Sequence, residues 1–216
     1  MSKSVSGVHA PLLVLFLSQA VAGAALAQAK CPPGLPPGIY CGEKDAKQAS
    51  AGSYAVDPLH TAVLAKVSHI GYSYLVFRFD TAEGKLTWDP AAPGKSSLSV
   101  SVDTASLVSN VPDFAKELIG DNYLKSSAFP KAIFVSTAFR QTDATHGKVD
   151  GQFTLMGKTK PISFDVTLVG AGKGFMDKPR IGAAARAWIN PQDYGLPPMM
   201  LEPIEIVIDA EFEKAP

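Results

Sequence analysis

The sequence has no excess of either charge. Its 20 basic side chains are balanced by 20 acidic ones, for a formal net charge of +0. Nothing in that balance attracts a polyanion, so there is no electrostatic case for nucleic acid or for an anionic membrane surface. Histidine is scarce, with four residues, and none falls in a zinc-ligand spacing. There is no G-x-S-x-G elbow, no phosphate loop and no dinucleotide fingerprint. Internal repeats and low-complexity tracts are also absent. A hydrophobic fraction of 46% supports a real core. Only one apolar run approaches the length of a membrane span, and it lies at the N-terminus.

That run, PLLVLFLSQAVAGA, follows Lys3 and precedes the small-x-small sequence Ala25-Leu26-Ala27. Ser18, Gln19 and Gly23 break it. It reads as a secretory signal over residues 1–27, cleaved after Ala27, and as a poor permanent anchor. Lipoprotein processing needs a small residue before the cysteine, and Lys30 precedes Cys31. The expected product is a soluble protein of the periplasm. Its two cysteines, Cys31 and Cys41, bracket a loop rich in proline and glycine. In an oxidising compartment they are expected to form a disulfide. A two-thiolate metal site would lack a nearby histidine, and redox-active pairs are normally closer in sequence. Residues 28–53 read as a stapled appendage, with GEKDAKQASAG as linker, before a domain spanning 54–216.

From Tyr54 onward the chain alternates with period two. Thr61, Val63, Ala65, Val67 and His69 share one strand face, and Leu75, Phe77 and Phe79 continue it after HIGYS. Further alternating runs follow at 97–103, 132–139, 149–155, 162–168, 181–189 and 204–212. AEGK, PAAPGK, DATHGK, GKTKP, GAGKGFMDKP and GLPP read as turns between them. Many strands with short breaks predict an all-β antiparallel sandwich or up-and-down barrel. One interruption is helical: VPDFAKELIGDNYL places Phe114 and Leu118 on one face, with Pro112 in the first turn and Gly120 as the stop. Such a helix would cover one end of a barrel. Alternation alone does not say whether the interior is filled or holds a ligand.

Several blocks, in order, carry a family resemblance. They are Tyr54, Val56, Asp57 and His60, leading to His69 and Gly71; SVDT at 101–104 with YLKSSAFPKAIFVST; GQFTLMGKTKPISFDV; and IGAAARAWINPQDYGL. Over residues 54 to about 212 the chain resembles the YceI family, exported lipocalin-like proteins that bind polyisoprenoids. The resemblance implies a lipocalin-like barrel of about eight strands with a helical insertion. It also implies an apolar channel for an isoprenoid tail. The chain departs from the family pattern at Ala65 and Ala183, where an aromatic is usual, and at Phe77, usually glycine. Pro191 stands in place of an arginine, and Lys158 in place of a valine. Ala65 and Phe77 are expected to be a compensating volume swap on adjoining strands. Ala183 has no compensator, so the cavity is expected to be wider there.

The candidate apolar lining or cover is Val63, Val67, Leu75, Phe77, Phe79, Phe114, Leu118, Phe134, Phe153, Phe164 and Ile206. His60 and His69 are candidate head-group contacts. The bland alternative is favoured for both: His60 bonded to backbone at a barrel end, His69 bordering a turn. At about 3.3 Å per residue the two would lie roughly 30 Å apart along a straight strand. A shared metal is therefore not expected, and neither is any cofactor beyond a bound isoprenoid lipid, polyprenyl or quinone-like. A small lipid-processing enzyme is the alternative, and it would require a polar cluster at the barrel mouth, for example around His60 and Asp193. A third reading is a solid barrel serving as accessory to a cytochrome-type membrane partner. Trp88 and Trp188 are expected to be packing residues, and Met199 and Met200 either a soft lid or an ordinary turn.

Overall fold

The computed structural model describes residues 31–111 and 113–216, so the expected signal peptide lies outside the described residues. Eleven strand segments make one antiparallel sheet that closes on itself. They are β1 (Gly52–Val56), β2 (Ala62–His69), β3 (Ser73–Phe79), β4 (Ala82–Trp88), β5 (Ser97–Asp103), β6 (Leu107–Val108), β7 (Lys131–Gln141), β8 (His146–Leu155), β9 (Lys158–Lys173), β10 (Pro179–Ile189) and β11 (Ile204–Lys214). Pairs β1/β2, β3/β4 and β5/β6 are halves of single broken staves, which leaves an 8-strand barrel. β11 closes the ring by pairing with β1 through Phe212 and with β2 through Ile208. Closure removes the exposed edges that an open sheet would present.

The breaks have local causes. Between β1 and β2 lies Asp57-Pro58. The proline supplies no N–H for a ladder, and the Asp57 carboxylate accepts the Leu59 N–H at 3.0 Å in an Asx turn. Between β5 and β6 the Asp103 carboxylate accepts the Ala105 N–H at 2.9 Å in the same way. One expected turn is a strand instead. AEGK opens β4, with Gly84 paired to Val100. A Cβ at Gly84 would meet a Val100 methyl at 2.5 Å and the Ser99 carbonyl at 2.6 Å. This glycine marks close strand approach rather than a bend. GKTKP is likewise mostly strand: the turn is Met156-Gly157, and Lys158 already pairs with Leu155.

The expected helix is present but short. α1 spans Phe114–Leu118, with Asp113 in a left-handed conformation before it. Phe114 and Leu118 pack with Phe77, Leu107, Leu75 and Phe79. α1 and the chain that follows it thus cover one end of the barrel. The same end holds Leu155, Met156, Ile189, Leu196 and Ile204, gathered around Tyr194 of a second helix, α2 (Pro191–Tyr194). Asn190 caps α2 by accepting the Gln192 N–H, and buried Pro191 is its first residue. Half of the barrel is therefore filled by its own side chains.

The opposite end is covered differently. Cys31 and Cys41 are joined in a disulfide with Cα atoms 5.6 Å apart. The segment expected to be a linker packs against the barrel. Glu43 and Ala171 exchange two backbone hydrogen bonds, each 2.8 Å. A 3-10 turn at Ala46–Gln48 follows, and Ala49 is fully buried beside Tyr54, Ala171 and Phe212. No helix among the described residues is long and apolar enough to cross a membrane.

Candidate ligand-binding cavity

Alternate residues on successive staves face inward, and in the half away from α1 they leave a cavity of about 220 Å³. Val56, Thr61 and Val63 supply one wall, followed around the ring by Ala82, Leu86 and Trp88 of β4 and by Leu98, Val100 and Val102 of β5. Across from them stand Phe164, Val166 and Leu168 of β9. Ile181, Ala183 and Ala185 of β10 and Ile208, Ala210 and Phe212 of β11 complete the ring. The floor is Phe134 against Phe164, ring centroids 5.1 Å apart and edge to face. Behind that pair, Phe153, Ile162 and Ile206 continue into the filled half.

The mouth is polar on one side only. The β7–β8 hairpin brings Arg140, Gln141, Asp143, Thr145, His146 and Lys148 to the rim, and the facing turns bring Ala46 and Pro93. The hairpin cations are already engaged. Arg140 donates to Asp150 twice at 2.6 Å, and Lys148 pairs with Asp165. Asp143 accepts the backbone N–H of Thr145 at 2.8 Å and lies 2.9 Å from His146 Nδ1. The Thr145 amide and then the His146 side chain hold the Asp143 carboxyl at about 2, below the ordinary 3.8.

The expected lining residues separate into groups. Val63, Phe134 and Phe164 bound the cavity. Phe153 and Ile206 lie beneath its floor. Val67, Leu75, Phe77, Phe79, Phe114 and Leu118 gather in the covered end with α1. Ala183, expected to widen the cavity, stands on its wall. Ala65 and Phe77 are direct cross-strand partners, so they share a face, within the filled half. The hairpin residues 140–148 escaped the sequence reading. DATHGK signals only a turn, and no local pattern says that a turn rims a hollow barrel end. Trp88 lines the mouth and donates to the Ala46 carbonyl at 3.4 Å. Trp188, in contrast, is 55% exposed on the outer wall and does not pack inside. Met200 packs on the α2 cluster while Met199 is exposed, both at the filled end.

Neither candidate head-group histidine reaches the cavity lining. His69 ends β2 at the hairpin turn, exposed. His60 bonds a carboxylate rather than backbone: its Nδ1 is 2.9 Å from Asp57 Oδ2. Asp57 also accepts from Arg180 Nη1 at 2.6 Å, and the same nitrogen reaches Glu211 at 2.7 Å. Asp57, His60 and Glu211 have the spacing of a metal triad, but the guanidinium already occupies the space between the carboxylates. Burial raises the Asp57 carboxyl, yet hydrogen bonds from His60, Arg180 and the Leu59 amide outweigh it and hold the group at about 2. The cluster is a clamp across the β1–β2 break. Asp193 lies beyond the far end of β10 from Arg180, so His60 and Asp193 do not converge as a lipid-processing site would need.

A closed antiparallel barrel with an oily cavity at one end is a lipocalin-like architecture. The YceI-like domain model matches residues 54–212, and the chain belongs to that family. It is 39% identical over 153 residues to a UPF0312 protein of Pseudomonas putida strain W619, covering 70% of this chain and 80% of that one. Among solved structures, Burkholderia cenocepacia BcnA superposes with a TM-score of 0.62 at 20% identity, covering 72% of this chain and 98% of that one. A polyisoprenoid binding domain from Saccharophagus degradans, implicated in plant cell wall breakdown, gives 0.55 at 14% identity, covering 77% and 100%. At these identities the structural matches speak for the fold.

Proposed function

We propose that this protein binds an isoprenoid lipid, polyprenyl or quinone-like, in the barrel cavity and carries or shelters it in the periplasm. The observation that carries the reading is the hollow half-barrel, whose walls are hydrocarbon from Val63 to Phe212. A chain that water rejects gains about 25 cal/mol for each Å² of apolar surface buried there. Membership in the YceI-like family, whose resemblance implies polyisoprenoid binding, and the likeness to the S. degradans polyisoprenoid binding domain support the ligand class. The signal-like N-terminus and the Cys31–Cys41 disulfide support an oxidising compartment. At about 220 Å³ the cavity is smaller than the ~300–1,000 Å³ of common ligand pockets. A long polyprenyl chain would therefore displace the Phe134–Phe164 floor or leave part of its length outside the mouth. A cytochrome-type partner fits the proposal only through a bound quinone.

Native mass spectrometry of the protein purified from its host, followed by lipid extraction, tests this reading. A retained prenyl lipid is the expected result. Protein that never retains or takes up a prenyl chain sinks it.

A further inference from the structure

The hollow end exposes apolar side chains that the cavity does not use. β9 runs past the β7–β8 hairpin, where Thr167 pairs with His146, and continues to Lys173 before the turn into β10. At that turn Phe175 is 61% exposed and Met176 71%. Met176 and Asp177 take left-handed φ values of 55° and 62°, so the tip is held in place against a backbone cost. A second apolar segment stands beside it. The Glu43–Ala171 bridge is antiparallel, so the chain before Glu43 runs along β9 toward Lys173. The Tyr40 ring accordingly lies 5.6 Å from Lys173 Nζ. Tyr40 belongs to the disulfide-closed loop CPPGLPPGIYC, which has no charged side chain and exposes Leu35, Ile39 and Tyr40. Chain neighbours aside, no described atom lies within 4 Å of where a Cβ on Gly34 or Gly38 would stand. The loop therefore projects clear of the barrel, and its closure and its prolines leave little freedom to lose on docking.

Two projecting tips suit a bilayer better than a protein partner, which would need a broad matched face of about 800 Å². Aliphatic and aromatic side chains can enter the acyl boundary, and tyrosine keeps its hydroxyl among the head groups. The charges flanking the tip, Lys173 and Asp177, pair with each other at 3.2 Å, so insertion strands no lone charge. The strap leads from the loop to Ala46 at the cavity mouth, so a bilayer touched by the tips lies beside the mouth. We propose that the two tips seat the hollow end on a lipid bilayer by apolar insertion rather than by charge, with the mouth beside the membrane that supplies the cargo. The cargo rests on the lipid-binding reading; the seating does not. The filled end also exposes Ile70, Tyr72 and Leu201, but its own side chains close it, and it provides the control.

Flotation of the full mature protein with vesicles tests this, using phosphatidylcholine alone and phosphatidylcholine mixed with phosphatidylglycerol. The protein should float with both, and added salt should not release it. Phe175→Ser combined with Met176→Ser should weaken partitioning at least about 10-fold, and Ile39→Ser should act in the same direction. Ile70→Ser combined with Tyr72→Ser, at the filled end, should leave it unchanged. The proposal is overturned if the protein does not float, if it floats only with the anionic vesicles, or if the Ile70 and Tyr72 pair rather than the Phe175 and Met176 pair releases it. Sedimentation without vesicles addresses a second copy: a dimer that the Phe175 and Met176 substitutions break also overturns it. Titration with a fluorescent prenyl analogue, without vesicles, separates the two readings and should give the same affinity for the wild type and the Phe175 and Met176 variant. Uptake without flotation overturns the seating and leaves the lipid-binding reading standing. Flotation without uptake supports the seating and sinks the cargo.

Discussion

Ala183 sets the width of the cavity. It pairs with Ala210 on one side and Leu168 on the other, and with Ala185 it makes a stretch of wall with almost no side chain. A phenylalanine there would project its ring into space that now lies empty. Because that space is a void, Ala183→Phe should cost less than the ~1–3 kcal/mol of overpacking a filled core. Prenyl uptake should fall at least 10-fold while urea denaturation stays cooperative. Unchanged uptake would place the lipid elsewhere. Alternation alone puts Ala183 on the inner face; its contrast with the family's usual aromatic is what flagged it. The same contrast paired Ala65 with Phe77 correctly across two strands. It could not say that this pair lies in the filled half, because filling depends on α1 and α2 arriving from distant sequence.

At the scale of elements, the β1–β2 break is held by Arg180 at the start of β10. Besides Asp57 and Glu211, Arg180 Nη2 reaches Glu213 at 2.6 Å. The Asp57 side chain is 11% exposed, so its ion pair is little screened. Its folded-state pKa of about 2 lies below the ordinary 3.8. Such a depressed carboxyl contributes stability that is full above about pH 4 and lost as pH falls through 2. The contribution is about 2 kcal/mol. Asp57→Asn should flatten the loss of stability between pH 4 and pH 2, read by urea unfolding at several pH values. An unchanged acid profile would remove the clamp from the account. The strand runs were legible because their period is fixed by backbone geometry. Their breaks and joins were harder. Pro58 and Asp103 signal breaks only once the neighbouring staves are known, and Gly84 looked like a turn because glycine also serves close strand contact. The mouth hairpin was invisible for a related reason: its role comes from where the barrel is empty.

The molecule as a whole is a barrel filled at one end and hollow at the other, with a different cover on each. Aromatic and aliphatic side chains around α1 and α2 close the filled end. The hollow end is crossed by a thin strap, residues 42–50, continuous with the Cys31–Cys41 loop. At its upstream end its hold on β9 is the pair of backbone hydrogen bonds between Glu43 and Ala171. Beside them Gly42 and Gly170 lie so close that a Cβ on either would meet the other's Cα at 3.0 Å. Tyr54 donates to the Ser50 carbonyl at 2.6 Å and fixes the strap's downstream end. Few contacts hold the upstream end, so it is the part of the cover that opens at least cost. Gly42→Val should lift this end from β9 while the barrel ladders stay intact. Protection of the Glu43 and Ala171 amides in hydrogen exchange should fall. The dissociation rate of a bound prenyl chain should rise about 10-fold, with the unfolding midpoint lowered by only a few degrees. Faster amide exchange without faster lipid release would show that the chain leaves past the β7–β8 hairpin instead, and that the strap only shields Trp88 and Ala49.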